Sequence, residues 1–253
     1  MSQVKETPAF TYGYRSDIGN RANNQDSIAI RYQPQGIPGV FIVADGMGAY
    51  EHSEYASQLA SKYCADNLIN DIAVDDSQRS VQMKILETIY KVNNIIYNKS
   101  QSSPAYAGIG TTLTIFLLLE GRAYIANVGD SRCYLIRNGI LVPLSVDHTL
   151  AQKMVDAQLI NKDQALNHPN KNVLTRAVGS TESVHPDIVE LTYEPHDRIL
   201  LSSDGLHGYV QEDLIENAFT VGGDAQEVAD ALVNLALATG GNDNVSVLTV
   251  FLR

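Results

Sequence analysis

The sequence contains no tryptophan and only two cysteines, Cys64 and Cys133, in 253 residues. Two cysteines are too few for a disulfide framework or a zinc cluster. Cys64 falls on the apolar side of a predicted helix and Cys133 within a predicted strand, so we expect both to be buried thiols. Hydrophobic residues make up 44% of the chain, which is typical of a globular protein with a sizeable core.

Positive charge is also scarce, with 18 basic residues against 29 acidic residues and a net charge of −11. Proteins that bind nucleic acid or anionic membranes need a positive face, so the charge argues against both kinds of partner. A site that handles phosphate in so acidic a chain must obtain its positive potential locally, from bound cations or from a well-placed arginine.

Long apolar runs are missing as well. The longest strongly apolar run, Leu113–Leu119, is broken only by Thr114 and is far shorter than a membrane span. No basic-then-apolar leader follows Met1. We therefore expect a soluble, cytoplasmic protein.

Strand patterns predominate over helical ones. Several strand-like runs are apolar at nearly every position, which predicts strands covered on both faces. These runs are residues 39–44, 111–119, 123–128, 133–137, 188–193, 198–203 and 245–252. Helical periodicity occurs in residues 56–68, 85–96 and 228–236, and shorter helices are predicted for 149–159 and 211–218. Because strands and helices do not alternate regularly, we predict a single α+β domain over residues 1–253, with packed sheets flanked by helices.

Two connections have a clear local signal. Asn138-Gly139 lies between two short apolar runs, which predicts a hairpin closed by a type I′ turn. Residues 98–106 are polar and contain a proline, and we predict a surface loop there between a helix and a strand.

Four aspartates follow or precede apolar strand runs, and three of them stand beside glycine. They are Asp45, Asp130, Asp204 and Asp243. Any single Asp-Gly after a strand is readily explained as a turn, but the set in one chain favours a common site. Carboxylates brought together repel unless a cation neutralises them, and a set of oxygen ligands with few histidines selects Mg²⁺ or Mn²⁺ over zinc.

These segments resemble the PPM family, the type-2C metal-dependent protein phosphatases, and in particular its compact bacterial members. The resemblance runs from about Tyr12 to Phe251, with the motifs in family order. The motifs are Arg21-Ala22-Asn23-Asn24-Gln25-Asp26, Val43-Ala44-Asp45-Gly46-Met47-Gly48, Gly110-Thr111-Thr112, Gly129-Asp130-Ser131-Arg132, Asp147-His148-Thr149, Leu174-Thr175-Arg176, Ser203-Asp204-Gly205 and Gly241-Asn242-Asp243-Asn244.

The resemblance implies a central β-sandwich of two antiparallel sheets flanked by helices. It also implies the residues of a metal site: Asp45, the Gly46 carbonyl, Asp204 and Asp243 around two Mg²⁺ or Mn²⁺ ions, Asp26 through water, and Asp130 at a possible third ion. Arg21 would grip the substrate phosphate. The substrates would be proteins carrying phosphoserine or phosphothreonine, hydrolysed by a hydroxide between the two ions. A serine/threonine kinase would oppose the activity, and we expect the phosphatase to be a monomer.

One position departs from the family pattern. Where the family has the histidine assigned as general acid, this chain has Tyr50, and the nearest histidine is His52. A histidine with a pKa near ~6.5 suits proton donation at neutral pH better than a tyrosine near ~10. The proton donor is therefore open among Tyr50, His52 and water on a metal. A phosphatase-like scaffold with weakened catalysis is the alternative function, and a nucleic-acid phosphodiesterase is disfavoured by the charge.

Overall fold

The computed structural model describes residues 5–7, 9–48, 52–102 and 104–253. Extended segments of this sequence form strands that are all antiparallel to their neighbours. The strands are β1 (Lys5–Glu6), β2 (Phe10–Asp17), β3 (Asp26–Tyr32), β4 (Gly39–Met47), β5 (Gly110–Thr111), β6 (Leu113–Leu119), β7 (Arg122–Val128), β8 (Arg132–Arg137), β9 (Ile140–Pro143), β10 (Asp187–Leu191), β11 (Arg198–Ser202) and β12 (Val245–Leu252).

Helices cover the strands on both sides and connect them. They are α1 (Ser53–Asp71), α2 (Gln78–Ser102), α3 (Leu150–Asp156), α4 (Lys162–Leu166), α5 (Asp204–His207), α6 (Glu212–Val221) and α7 (Ala225–Ala238). A short 3₁₀ turn, Pro104–Tyr106, follows α2. Among the residues described, no helix combines the length and hydropathy that crossing a membrane requires.

The strands form two sheets. The first sheet has the order β1-β2-β12-β11-β8-β9, and the second has the order β10-β7-β6-β4-β3, with β5 paired to β4. The first strands of the chain and its C-terminal strand are therefore neighbours, because β2 and β12 pair along their whole lengths.

Alternation along β4 explains why both of its faces are buried. Phe41 and Val43 point into a core between the two sheets, whereas Val40, Ile42 and Ala44 point into a second core beneath α1 and α2. A third core joins the outer face of the first sheet to α6 and α7. The result is four layers, helix–sheet–sheet–helix, which confirms the predicted α+β sandwich.

The predicted hairpin is present with the predicted turn. Arg137 pairs with Ile140, which leaves Asn138 and Gly139 as the two loop residues. Their φ angles are 54° and 79°. A type I′ turn requires positive φ at both central residues, and asparagine and glycine tolerate positive φ better than other residues.

Three sequence predictions need correction. Residues 98–106 do not form a loop, because α2 continues to Ser102 and the 3₁₀ turn begins at Pro104. Ile96 and Ser100 are buried on the inner face of α2, so packing extends the helix through this polar stretch. Asp45 is not at the end of its strand, since β4 runs on to Met47. Strands β2 and β3 were missed because their buried and exposed positions do not alternate cleanly. Both cysteines are buried free thiols, as predicted.

Candidate metal and phosphate site

Asp26 and Asp45 face each other across two paired strands. They are direct partners in the register of β3 and β4. The Asp45 amide donates to Thr112 Oγ1 at 2.8 Å, and Asp26 Oδ2 accepts a hydrogen bond from Ser203 Oγ at 2.7 Å. Like charges directly opposite each other destabilise a sheet. When both are ionised, Asp26 and Asp45 therefore destabilise this part of the sheet.

Asp204 and Asp243 come from the other sheet. Asp204 begins α5 directly after β11, and Asp243 lies just before β12, the neighbour of β11. Gly205 makes this approach possible, because a Cβ built there would lie 1.9 Å from the Asn244 carbonyl oxygen. The carboxyl groups of Asp45 and Asp204 are within hydrogen-bond reach of each other. The two sheets thus bring their acidic residues to one place.

The electrostatics of the cluster follow from burial and from mutual repulsion. Burial first, and then neighbouring carboxylates, raise the pKa of Asp26 to about 7, although hydrogen bonds from serines oppose the shift. Burial and the charge of Asp243 raise the pKa of Asp204 to about 6. The pKa of Asp45 is raised well above its ordinary value by burial and by Asp26, Asp204, Asp130 and Asp243. Such a cluster ionises fully only when positive charge is supplied.

Two oxygen atoms in this cluster indicate where that charge would bind. Asp26 Oδ1 and Asp204 Oδ1 are buried and make no hydrogen bond in the described part of the chain. Buried polar atoms without partners are costly, and hard cations take carboxylate oxygens as ligands. No three acidic, histidine or cysteine side chains among the described residues form a closed ligand group. Mg²⁺ does not need one, since it usually keeps several waters and one or two carboxylates. The residues therefore fit divalent cations.

Gly46 is held next to Asp45 by its backbone. Its N–H donates to the Gln25 carbonyl at 3.0 Å, and it pairs with Thr111 of β5. The predicted ligand, its carbonyl, thus belongs to a strand that is fixed on both sides.

Arg21 lies beside the carboxylate of Asp243. Its Nε donates to the Asn242 carbonyl and its Nη2 to Asp243 Oδ2, each at 2.9 Å. The side chain is 52% exposed, and Nη1 has no hydrogen-bond partner in the described ranges. A guanidinium offers several donors in one plane, so Arg21 keeps capacity for an anion while it is anchored to the acidic cluster.

Asp130 lies on one side of a cavity of about 420 Å³. Its side chain is buried, and burial followed by the charges of Asp204 and Asp147 raises its pKa to about 8. The cavity is lined by Asp45, Met47, Thr112, Asp130, Asn172, Leu174, Thr175, Arg176, Ala177, Ser180, Thr181 and Asp204. Asp45 and Asp204 therefore belong both to the acidic cluster and to the wall of the cavity.

Of the two candidate side chains for proton donation, the structure describes only His52. Tyr50 lies outside the described residues. His52 precedes α1 and stacks on the ring of Tyr106, with centroids 4.7 Å apart and planes 20° apart. The ammonium of Lys99 lies over the same Tyr106 ring, 4.1 Å from its centroid. The position of His52 is therefore tied to the end of α2 and the following turn.

Sequence reasoning missed the polar residues that hold the site together. Ser203 donates to Asp26 and accepts from the Ser246 amide at 2.9 Å. Asn244 accepts from the Gln25 amide and donates to two carbonyls in the loop that carries Arg21. Both residues sit next to a predicted ligand in a recognised motif, which is the only signal in the sequence that points to them.

Comparisons with known proteins show the family to which the chain belongs. Residues 15–244 match the family model described as Protein phosphatase 2C. The chain is 34% identical over 238 residues to the serine/threonine phosphatase stp of Listeria monocytogenes, covering 94% of each chain.

Solved structures give the same result. The serine/threonine phosphatase Stp1 from Staphylococcus aureus matches with a TM-score of 0.86 and 28% identity, over 100% of this chain and 99% of that one. The catalytic domain of the serine threonine protein phosphatase PstP, in complex with 2 manganese ions, matches with a TM-score of 0.82 and 32% identity, over 96% and 98% of the two chains. The resemblance drawn from the motifs is confirmed, and the chain belongs to the protein phosphatase 2C family.

Proposed function

We propose that this protein is a Mg²⁺- or Mn²⁺-dependent phosphatase that hydrolyses phosphoserine and phosphothreonine in proteins. The observation that carries the proposal is the convergence of buried and half-buried carboxylates from two sheets, with two oxygen atoms that make no hydrogen bond among the described residues. The names of its relatives, serine/threonine phosphatases, support the substrate class.

The residues that would hold the ions divide into three groups. Asp45, the Gly46 carbonyl, Asp204 and Asp243 would bind two ions directly. Asp26 would act through water, for which its unpaired Oδ1 is an acceptor. Asp130 would serve a third ion from the wall of the cavity.

When bound, the ions would neutralise phosphoryl oxygens and lower the pKa of a water between them, so that hydroxide is available near neutral pH. The chain's own residues orient the reaction. Arg21 would hold phosphoryl oxygens through Nη1, which makes no hydrogen bond among the described residues, while Asp243 fixes Nη2.

The leaving alkoxide needs a proton, and we propose the loop that carries Tyr50 and His52 as its source. Tyr50 occupies the position of the family histidine, and water on a metal is the third candidate donor. His52 would have to leave its stack on Tyr106 to reach the site. The competing proposal is a scaffold protein with weakened catalysis, for which the tyrosine is the sole support.

The cellular setting stays a prediction. We expect a single-domain monomer that acts in the cytoplasm against a serine/threonine kinase. Sedimentation of the purified chain at several concentrations would test the monomer directly, because a stable dimer would sediment faster at every concentration and a weak dimer would sediment faster as concentration rises.

The deciding experiment is hydrolysis of a phosphothreonine peptide with Mn²⁺, then with chelator, then with Mn²⁺ restored. We expect turnover to be lost with chelator and to return with the ion. Asp204→Ala should abolish turnover, whereas Asp75→Ala, in an exposed loop between α1 and α2, should not. Faster cleavage of a DNA phosphodiester than of the peptide would contradict the proposed substrate. Metal binding without turnover would favour the scaffold.

A further inference from the structure

A short segment between β9 and α3 contacts two separate parts of the candidate site. It consists of Asp147, His148 and Thr149, of which Thr149 caps the N-terminus of α3. Asp147 makes a bidentate ion pair with Arg132, with N–O distances of 2.8 and 2.7 Å. The proposed function assigns no role to this segment, although its neighbours carry proposed ligands.

His148 holds the loop that carries Asp130 from two directions. Its amide donates to the Gly129 carbonyl at 2.9 Å, and the Gly129 amide donates to the imidazole Nδ1 at 3.1 Å. The His148 side chain is only 5% exposed. Gly129 immediately precedes Asp130, so these two bonds fix the backbone from which the Asp130 carboxylate projects.

The same residue holds the opposite wall of the cavity. Its carbonyl accepts from the Thr175 amide at 2.7 Å. Since Nδ1 accepts a hydrogen bond, the ring proton is on Nε2, which lies 3.1 Å from Asp187 Oδ2 and donates to it. Asp187 in turn accepts from Arg176 at 2.7 Å. Arg176 also approaches Nε2, but both atoms are donors in this tautomer and share the carboxylate.

The wall held in this way faces the acidic cluster. Thr175 and Arg176 line the same cavity as Asp130. Thr175 Oγ1 is buried and makes no hydrogen bond within the part of the chain that the structure describes. A shift of His148 would therefore change the separation of Asp130 from the Thr175 hydroxyl across the cavity.

We propose that His148 is a positioning residue that sets the Asp130 carboxylate for a divalent cation by accepting the hydrogen bond of the Gly129 amide, while its bonds to Thr175 and Asp187 hold His148 in place. The proposal rests on the proposed function, which places an ion at Asp130. His148 touches neither substrate nor ion. It acts through the backbone of Gly129, so its effect falls on the affinity of the Asp130 site rather than on the pair of ions at Asp45.

Three substitutions separate the contacts of His148. His148→Asn keeps an acceptor oxygen near the position of Nδ1 and loses the contact with Asp187. His148→Gln reaches the position of Nε2 and loses the acceptor for Gly129. His148→Leu keeps the volume and loses both. His185→Leu is the matched control, because the side chain of that exposed histidine contacts Tyr90 rather than the Asp130 loop, while its carbonyl accepts from the same Arg176.

The readout is Mn²⁺ binding by titration calorimetry of the chelator-stripped protein, together with its thermal unfolding. We expect His148→Leu and His148→Gln to weaken the Mn²⁺ site that Asp130→Asn impairs by ~10–100-fold, as is typical when a residue behind a ligand is lost. His148→Asn should recover most of that loss, and His185→Leu should bind like the wild type. A residue that served folding alone would change the unfolding temperature without this ordering.

Two results would overturn the proposal: wild-type Mn²⁺ affinity in the glutamine variant, or equal weakening in the asparagine and glutamine variants. The comparison of these two polar variants remains decisive if His148→Leu does not fold. Failure of the proposed function is seen separately. A wild-type protein that binds Mn²⁺ in a His148-dependent manner but releases no phosphate from a phosphothreonine peptide would retain the positioning role and lose the phosphatase assignment.

Discussion

The acidic cluster and the wall of the cavity are built in different ways, although they share Asp45 and Asp204. The cluster comes from strands and their immediate ends, with Asp26 and Asp45 paired in register on one sheet and Asp204 and Asp243 flanking neighbouring strands of the other. The wall comes from the loop of residues 129–130 and from residues 172–181 of the connection between β9 and β10, joined through His148 and Asp187 by side-chain hydrogen bonds.

This difference separates what is rigid from what is adjustable. A strand register cannot slip by one residue without turning every side chain to the other face. A loop held by single hydrogen bonds can shift at a cost of about 0.5–1.5 kcal/mol per bond. We therefore expect changes in the cluster to abolish function and changes in the wall to tune it.

The strongest test of this difference is to neutralise one acid in the acidic cluster and one in the wall of the cavity. Asp45→Asn should lower kcat by ~10³-fold, because several kcal/mol of charge stabilisation is lost and about 1.4 kcal/mol is worth tenfold. Asp130→Asn should cost much less at saturating Mn²⁺ and mainly raise the Mn²⁺ concentration required. Steady-state kinetics across a Mn²⁺ series measure both. Equal losses in kcat at saturating ion would show that the two parts are not distinct.

Arg21 tests the rim of the cluster. Arg21→Ala should mainly raise KM, by ~10–100-fold, because a hydrogen bond to a charged group is worth about 1.5–3 kcal/mol. Arg21→Lys keeps the charge but not the planar fork and should recover only part of the loss. Kinetics on a phosphothreonine peptide check this. A pure fall in kcat at unchanged KM would place the arginine in the chemical step instead.

The effect of having Tyr50 in place of the family histidine should depend on the leaving group of the substrate. General acid catalysis is typically worth ~10²–10⁴-fold, and it matters for an alkyl alkoxide far more than for a nitrophenolate. If Tyr50 is a poor acid, Tyr50→His should raise the rate on a phosphothreonine peptide by ~10-fold and leave an aryl phosphate nearly unchanged. If His52 is the donor, His52→Ala should depress the peptide rate selectively.

Both variants should be measured on both substrates between about pH 6 and about pH 9, where the two candidate acids differ in protonation. An unchanged ratio of peptide to aryl rates in both variants would remove this loop from proton transfer and leave water as the donor. Tyr106→Leu is a useful companion variant, because it releases the stack that holds His52.

The smallest expected effect concerns pH and stability. The raised pKa values of Asp204, Asp26 and Asp130, about 6, about 7 and about 8, lie above the ordinary value of ~3.9. Between the ordinary pKa and the raised pKa values, the folded, cation-free chain holds protons that the unfolded chain has lost. Its free energy of unfolding therefore falls as pH rises from about 4 to about 8.

Bound cations displace those protons. At a fixed Mn²⁺ concentration that is a hundredfold over Kd at about pH 8, Mn²⁺ should therefore raise the unfolding temperature by ~5 °C or more at that pH and by less at about pH 5.5. Calorimetric scans with Mn²⁺ and with chelator at each pH measure the shift. A stabilisation that did not grow with pH would mean that these carboxylates are not the ligands.

The fold was predictable where a local pattern coincides with packing. Residues 245–252 form β12 as predicted, and the Asn138-Gly139 turn closes its hairpin. The extension of α2 to Ser102 was not predictable, because polar residues there are held by the helix that precedes them. Strand β3 was missed because it lies at the edge of its sheet and is only partly buried.

For the site, the sequence predicts the acids but not their supports. Asp-Gly segments after apolar runs, in family order, point to Asp45 and Asp204. Nothing local shows that Ser203 donates to Asp26, or that His148 links Gly129 to Asp187, since each bond joins residues far apart in the chain. Such partners are set by the stacking of the two sheets and by the path of the long connection from β9 to β10.

The pairing of β2 with β12 has a consequence for how the protein matures. Asp243 reaches Asp26 only after the N-terminal and C-terminal strands have met, and contacts between such distant segments form slowly. A partly folded chain lacks half of the acidic cluster and captures no cation there. Ion uptake by refolding protein should thus lag behind the formation of the hairpins and helices. Its rate would report the pairing of β2 with β12.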